Sequence, residues 1–462
     1  MAARKLAAVT AVACLLTAQP ALAQKAGSGP VPPQVDLNRP LVNDTEQPPP
    51  TIPYTQKTPC IASLNDGTVV LANKPWGQQQ LQIEQAHQFA TGKNQTVAVI
   101  DTGVRVHEYL QNRLIKGPDY VNKQQSDSTQ DCDGHGTEVA GIIAARTDGT
   151  QIGFTGVAPD AQILAIRQSS ERYAGTPTDE PNAGERPAGD LNTLAQAIRH
   201  AADDPRVTVI NMSVDNCRPA TEAINPAELD LQRMLRYAVD KNKVVVASAG
   251  NKDSRFCQDP SNGRDPAKPT AIITPPWFAD DVLSVAAIDR RGALADFSMQ
   301  GPWVSVAGPG TEIVSLDPSG KLANLTIDGG KQIQIQGTSF AAPYVAGLAA
   351  LVRERFPTLN ARQVMNRIKM TAQHPAAPGG RDSMVGYGMI NPVAALTAFI
   401  PSESNIGPDK PQALPPNMPP IKERDWSSMN VALIGTGSGI ALLLLTLFVM
   451  HAIRRSRKTQ PE

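Results

Sequence analysis

The stretch from Gly337 to Pro343, with the sequence GTSFAAP, limits most strongly what this chain can fold into. It places a serine on a turn of small residues directly before an Ala-rich helical run. The first N–H groups of a helix have no partner inside the helix, so the amide of Ser339 could bind an oxyanion beside its own hydroxyl. The stretch is therefore typical of a nucleophilic serine, although a buried Ala/Gly helix with a serine cap is the alternative.

Two further segments carry side chains that could activate this serine. Asp101 follows the apolar run 96–100, and His135 lies in the sequence DGHGTEVAG. An imidazole can take the proton of a serine hydroxyl, and a carboxylate on its other ring nitrogen fixes its tautomer. Asn251 ends the sequence SAGN, and its side-chain amide could join the amide of Ser339 in an oxyanion hole. As alternatives, Asp101 could be a helix cap and Asn251 a turn residue.

Apolar runs of strand length alternate with helical patterns through the middle of the chain. The predicted strands are 96–100, 162–166, 207–212, 244–248 and 282–288, and the predicted helices between them are 138–145, 191–201 and 231–240. This order predicts an α/β fold in which a mostly parallel sheet carries helices on both faces. Asp101 and Asn251 would then lie at the C-terminal ends of strands, where open α/β sheets place their sites.

The N-terminal 23 residues have the pattern of a secretory signal peptide. A basic pair at 4–5 precedes an apolar run over 6–16, and the tripeptide Ala-Leu-Ala at 21–23 is typical of a signal-peptidase site. An uncleaved membrane helix is the alternative, but Pro20 interrupts the run and its apolar part is too short to span a bilayer. We therefore predict a signal peptide over 1–23.

An uncharged apolar run near the other end, 431–450, predicts a membrane helix over 429–453, because about 20 helical residues cross the hydrocarbon core of a bilayer. The residues at 454–462 include several Arg and Lys, which favour the cytoplasmic side. This would place the mature chain, from about 24 to 429, outside the cytoplasm. A removable lipid-anchor signal is the alternative, although such signals end in apolar residues.

Between these ends the composition predicts three further segments. Residues 24–80 are rich in Pro, Asn, Gln and Thr, which favours an extended arm over a packed domain. A globular domain over 81–400 follows, and then a proline-dense linker over 401–428 that would act as a stiff spacer. Within the domain, the polar stretch 169–189 is expected to be an exposed, mobile loop. The zero net charge indicates no nucleic-acid partner.

Removal of the signal peptide leaves four cysteines: Cys60, Cys132, Cys217 and Cys257. An even number in an exported chain predicts two disulfides, and four buried free thiols are the alternative. We favour Cys60–Cys132, which would tie the arm beside His135, and Cys217–Cys257, which would close a loop between neighbouring segments. No metal-ligand cluster is visible in the sequence, so neither a metal nor another cofactor is predicted.

The candidate residues Asp101, His135 and Ser339 occur in the chain order of subtilisin. With the sequences VIDTGV, DGHGTEVAG, SAGN and GTSFAAP, the segment 75–396 strongly resembles the subtilisin-like serine proteases of peptidase family S8. The resemblance implies a three-layer fold and an Asp-His-Ser triad. It also implies that substrate pairs with four residues near the site: Ser213, Val214, Ala249 and Gly250. Asp215 stands where a glycine is common, which would narrow the first specificity pocket or make it acidic.

The organisation of the whole chain resembles the mycosins, membrane-anchored proteases of actinobacterial type VII secretion systems. The residues that carry this likeness are PWGQ at 75–78 and YGMINP at 387–392, together with the signal peptide, the proline-rich arm and the C-terminal anchor. The resemblance implies cleavage of exported proteins, the membrane core complex of the secretion system as partner, and an arm that wraps the domain rather than inhibits it. A mainly structural role in that complex, with proteolysis secondary, is the alternative.

Overall fold

The structure is a computed structural model that describes residues 31–49, 52–61, 72–122, 127–149, 151–180, 182–252, 256–328, 331–404 and 427–456. The chain divides into two units, Met1–Ser404 and Asn405–Glu462, which are described separately. The predicted signal peptide lies outside the described residues, as do most of the predicted linker and the end of the basic tail.

Short strands and helices alternate along the first unit. Over the described residues the strands are β1 (Thr55–Gln56), β2 (Thr96–Asp101), β3 (Leu114–Asp119), β4 (Gln162–Arg167), β5 (Ser170–Gly175), β6 (Arg186–Ala188), β7 (Val207–Met212), β8 (Asn216–Pro219), β9 (Val244–Ser248), β10 (Ala271–Thr274), β11 (Leu283–Ile288), β12 (Val306–Pro309), β13 (Ser315–Leu316), β14 (Leu322–Ala323), β15 (Leu325–Asp328) and β16 (Lys331–Gln334). The helices are α1 (Trp76–Gln80), α2 (Ile83–Ala86), α3 (His135–Ala144), α4 (Leu191–Asp203), α5 (Pro226–Asp240), α6 (Thr338–Arg355), α7 (Ala361–Met370), α8 (Pro392–Thr397) and α9 (Ser427–Ser456), the last in the second unit.

A parallel sheet of seven strands, in the order β12-β11-β9-β7-β2-β4-β3, forms the centre of this unit. Its central strands are rich in Val, Ile and Ala and are almost entirely buried, as expected for a parallel sheet covered on both faces. One helix layer pairs α3 with α6 and another pairs α4 with α5. The predicted three-layer α/β fold is confirmed.

The strand order places a topological switch point beside β2. From β2 the chain continues to β3 and β4 on one side of that strand, and later to β7, β9, β11 and β12 on the other side. Ligands in open α/β sheets bind at the carboxyl ends of the strands at such a point. The fold therefore brings together the residues at the carboxyl ends of the neighbouring strands β2, β7 and β9.

Residues of the predicted arm are bound to the first unit by polar contacts. Arg39 Nε donates to Asp230 Oδ1 at 2.6 Å, and the side chain of Gln232 donates to the carbonyl of Pro33 at 2.7 Å. Trp76, near the end of the predicted arm, lies in the hydrophobic core.

The described residues 401–404, at the start of the predicted linker, belong to the first unit. A 3-10 turn over Pro401–Ser404 continues the first unit, and Glu403 forms an ion pair there with Arg367. The unit therefore extends beyond the predicted start of the linker.

The stretch 169–189 is not the simple loop that its composition indicated. Its strands β5 and β6 are antiparallel, and β1 of the arm pairs with β5, so the three strands form a small sheet. A polar segment can form strands here because the arm supplies backbone partners, which the sequence of the segment itself does not reveal.

Two disulfides join the cysteines in the pairing that the sequence analysis favoured. Cys60–Cys132 ties the same part of the arm to the residues before α3, and Cys217 pairs with Cys257.

The second unit contains the long apolar helix α9. Its segment Met429–Arg455 has a mean hydropathy of 2.2, and none of this segment is buried by protein. By length and composition this helix could cross a membrane.

Candidate active site

The fold brings Asp101, His135 and Ser339 to one edge of the sheet from three elements. Asp101 is the last residue of β2, His135 is the first residue of α3, and Ser339 is the second residue of α6. Gly136 allows the first turn of α3 to pack on the end of β2, because a Cβ there would clash with the carbonyl oxygen of Gly103. The small residue next to His135 is thus needed for this close approach.

Asp101 and His135 are joined directly. The Nδ1–H of His135 donates to Asp101 Oδ1 at 2.7 Å, and the backbone N–H of Thr102 donates to the same oxygen at 2.7 Å. Asp101 is completely buried, whereas 27% of the His135 side chain is exposed. One face of the imidazole is therefore available to a ligand while its Nδ1 is held by the carboxylate.

The electrostatic surroundings of His135 favour its protonated form. Burial alone favours the neutral ring, but the charge and hydrogen bond of Asp101 outweigh it, and Glu138 and Asp131 add to this effect. The pKa of His135 is raised to about 9. The ring must therefore lose a proton before it can act as a base at neutral pH.

The imidazole of His135 contacts α6 through Phe340, and Ser339 is not hydrogen-bonded to it. Its Oγ donates to the carbonyl oxygen of Ser213 at 3.3 Å, and no bond to His135 occurs among the described residues. The ring of His135 packs against Phe340, the next residue along α6, with 5.0 Å between ring centroids. Hydrogen bonds between nucleophile and base often tighten only when substrate binds.

Asn251, which was predicted to help form an oxyanion hole, touches the start of α6. Its Oδ1 accepts from the backbone N–H of Thr338 at 2.9 Å and from the Thr338 hydroxyl at 3.1 Å. Because these contacts engage the amide oxygen, the NH₂ group is the end of the side chain that can donate to a ligand. Asn251 therefore contacts the residue directly before Ser339, whose backbone N–H is the other predicted donor to the oxyanion.

The hydroxyl of Ser213, a predicted substrate-binding residue, is engaged inside the protein. It donates to the carbonyl oxygen of Ser339 at 2.8 Å and accepts from Asn211 Nδ2 at 3.0 Å. Val214 is partly buried and packs against the hydrophobic core. The Ser213 side chain thus supports the turn that carries Ser339, so pairing of this residue with a substrate would use its backbone groups.

The other predicted substrate segment is also held by backbone bonds. The N–H of Ala249 donates to Val285 O at 2.9 Å, and the carbonyl of Gly250 accepts from Met299 N at 3.0 Å. Gly250 has a φ of +98°, which favours glycine, and a Cβ there would lie 3.2 Å from Asp215 Oδ2. The carboxylate of Asp215 therefore borders this segment, at the position where the sequence departs from the family pattern.

A buried carboxylate that the sequence analysis missed lies beside the Asp–His pair. Asp131 is only 4% exposed and accepts hydrogen bonds from the side chains of Thr102 and Thr137 and from two backbone N–H groups. Its position four residues before His135, a candidate catalytic residue, is the signal that could have identified it.

A possible metal-binding group lies in the contact between the arm and α4, although the sequence predicted none. The ligand atoms of Asp44, Glu46 and His200 all lie within 4.8 Å of one another. His200 Nδ1 lies 2.8 Å from Asp44 Oδ2 and 3.3 Å from Glu46 Oε1, so these residues already pair with one another.

Comparison with known proteins agrees with this geometry. A model of the subtilase family matches residues 92–388, which is more than half of the chain. The chain therefore belongs to the subtilases, a family of serine proteases. Mycosin-4 and Mycosin-1 of Mycobacterium tuberculosis are each 39% identical to it; the alignments cover 92% and 94% of this chain and 91% and 96% of theirs. Within the subtilases, the chain belongs to the mycosins.

Solved structures give the same assignment. The serine protease MycP1, an essential component of the type VII (ESX-1) secretion system, has a TM-score of 0.71 and 40% identity, with 79% of this chain and 99% of MycP1 covered. A chain in the structure of an intact ESX-5 inner membrane complex has a TM-score of 0.72 and 36% identity, with 91% of this chain and 99% of that chain covered.

Proposed function

We propose that this protein is a membrane-anchored serine endopeptidase that cleaves exported proteins through a triad of Asp101, His135 and Ser339. The observation that carries the proposal is the 2.7 Å bond from His135 Nδ1 to Asp101 Oδ1, together with the position of Ser339 in the first turn of α6. This pair gives the imidazole an orienting carboxylate, and the first turn of α6 supplies the alcohol that it would activate.

In the proposed reaction, His135 Nε2 takes the proton of the Ser339 hydroxyl. At the same time the Oγ of Ser339 bonds to the carbonyl carbon of a peptide bond. The carbonyl oxygen becomes negative and accepts hydrogen bonds from the Ser339 N–H and the side-chain amide of Asn251. The imidazolium then gives its proton to the leaving amine, and the C–N bond breaks. A water molecule next gives a proton to His135 as its oxygen bonds to the acyl carbon, and Ser339 leaves with that proton.

The proposed setting is the outer face of a cell membrane, within a type VII secretion complex. The apolar α9 supports the anchor, and basic residues after it support a cytoplasmic C-terminus. The relative in the intact ESX-5 inner membrane complex supports the membrane core complex as partner. We do not propose a nucleic-acid partner.

A second function is favoured by that same relative, since it is seen as part of an assembly. In this alternative the chain mainly stabilises the secretion complex, and proteolysis is secondary. In that case the secretion complex would still need the protein after Ser339 is replaced.

Comparison of exported proteins among wild-type cells, a Ser339→Ala strain and a gene deletion separates the two functions. For a protease we expect uncleaved exported proteins in the Ser339→Ala strain. Ser261→Ala serves as a matched control, because this hydroxyl bonds only Asp259 in the described structure. Normal processing in Ser339→Ala, combined with loss of secretion on deletion, would instead favour the structural role.

A further inference from the structure

Asp131 lies between β3 and α3, and its buried carboxylate accepts four hydrogen bonds. Oδ1 accepts from the Thr102 hydroxyl at 2.9 Å and from Gly134 N at 2.8 Å. Oδ2 accepts from Thr137 N at 2.9 Å and from the Thr137 hydroxyl at 2.6 Å. Burial and the nearby charges of Asp101 and Asp133 raise the pKa of Asp131, whereas the hydrogen bonds from Thr137 act in the opposite direction and favour the ionised carboxylate.

The two threonines connect this carboxylate to the two elements of the Asp–His pair. Thr102 directly follows Asp101, and its Oγ also accepts from Gly136 N in the first turn of α3 at 3.0 Å. Thr137 lies in that first turn, and its Oγ also accepts from Arg105 N at 2.9 Å. The end of β2 and the start of α3 are thus bonded to each other with one common acceptor.

We propose that Asp131 is a positioning residue that sets His135 against Asp101 and stabilises the imidazolium that forms during the reaction. It acts through Thr102 and Thr137 and does not touch the reacting atoms. Its negative charge also lies at the N-terminus of α3, where a helix favours an anion. The inference rests on the proposed function of the triad.

The charge of Asp131 gives this role a signature that a purely structural residue lacks. The acidic groups that act on His135 are Asp101 at the end of β2, Glu138 on α3 and Asp131. Asp131 contributes to the raised pKa of the imidazole, so removal of its charge lowers that pKa. The pH at which activity begins to rise should therefore move downward even as turnover falls.

The test compares Asp131→Asn with wild type in the detergent-solubilised full chain, using kcat, KM and the pH profile of peptide hydrolysis. We expect kcat to fall by about 10²-fold from a misplaced imidazole, with KM little changed. The ascending limb should shift to lower pH. Asp127→Asn is the matched control, because this nearby acid bonds Thr129 and Lys116 instead. Unchanged kcat, or a loss without any shift of the limb, would overturn the proposal.

A second set of variants serves if Asp131→Asn does not fold. Thr137→Val removes one hydroxyl that donates to Asp131, whereas Thr137→Ser keeps it. We expect Thr137→Val to slow labelling by a fluorophosphonate probe about tenfold, within the range of one lost hydrogen bond to a charged group, and Thr137→Ser to restore it. Equal rates in the two variants would count against positioning by Asp131.

Failure of the proposed function can be distinguished by a measurement that needs no activity. In a Ser339→Ala background, titration of the His135 ring followed by NMR should give a lower pKa when Asp131→Asn is added. An unshifted titration would overturn the inference. If wild type is not labelled by the probe but the titration does shift, the proposed hydrolysis fails and the placement of His135 by Asp131 stands.

Discussion

The two halves of the candidate site differ in how completely the fold assembles them. On the acid–base side, His135 is bonded to Asp101 at 2.7 Å, and the network around Asp131 holds both elements. On the nucleophile side, Ser339 Oγ donates to the carbonyl of Ser213 at 3.3 Å and has no bond to the imidazole. The comparison indicates that the fold sets the base in advance, whereas substrate must complete the contact between base and nucleophile.

Ser339→Ala should have the largest effect, because it removes the nucleophile side altogether. We expect kcat for peptide hydrolysis to fall by about 10⁶-fold, as for other enzymes with this triad. The thermal midpoint should change little, because the substitution removes only one oxygen. Residual activity near the wild-type level would show that this half of the site has been assigned to the wrong residue.

Asp101→Asn breaks the preassembled side and should have the next largest effect. An amide in place of the carboxylate no longer selects the ring tautomer in which Nε2 is free to take a proton. We expect a decrease in kcat of about 10⁴-fold, measured with the same peptide. Asp289→Asn, at an exposed turn, is the control and should retain full activity. A decrease in kcat of tenfold or less would mean that catalysis does not need the bond between Asp101 and His135.

Asn251→Ala tests the nucleophile side without removing the nucleophile. The loss of one donor to the developing oxyanion should lower kcat by about 10² to 10³-fold while KM changes little. The bond from Thr338 N to the Asn251 side chain is also lost, so a Ser339 labelling assay should accompany the kinetics. A change confined to KM would assign Asn251 to substrate binding instead.

The dependence of activity on pH should be the smallest of these effects, and it depends on the pair of Asp101 and His135. Burial lowers the pKa of His135, but Asp101 outweighs burial and raises it to about 9, above the usual value near 6.5. The neutral base therefore accumulates as the pH rises, and the rate of fluorophosphonate labelling should increase up to about pH 9.

The same shift affects stability with a defined sign. Because the folded-state pKa is the higher one, the stabilisation is complete below about pH 6.5 and is lost as the pH rises to about 9. Denaturant titrations of wild type should show this loss, and Asp101→Asn should reduce it. A wild-type free energy of unfolding that does not fall between these pH values, relative to Asp101→Asn, would contradict the raised pKa.

Much of the sheet could be predicted from the sequence, because its central strands are continuous apolar runs. The bounds predicted for β7 and β9 agree with the structure. The outer strands were missed: β3 is partly buried and contains Gly117 and Pro118, and β12 has only four residues and ends with Gly308 and Pro309. Gly and Pro are uncommon inside strands, so a search for apolar runs does not identify these two.

The positions of Asp101, His135 and Ser339 could also be predicted, since each lies in a short motif at a strand end or helix start. The supporting contacts could not. The hydroxyl of Ser213 bonds the carbonyl oxygen of Ser339, 126 positions away, and no local pattern reveals this bond. The carboxylate of Asp131 acts through Thr102 and Thr137, and only its position four residues before His135 distinguishes it from an ordinary polar residue. The pairing of β1 with β5 was missed for the same reason, because its partner strands are distant in sequence.

The central claim is that Ser339 is the residue that His135 activates. It is tested most directly by labelling the full-length protein with a fluorophosphonate and mapping the adduct by mass spectrometry. We predict a single adduct on Ser339 that disappears in Ser339→Ala and forms far more slowly in Asp101→Asn. An adduct on another residue, or labelling that persists in Ser339→Ala, would contradict the account.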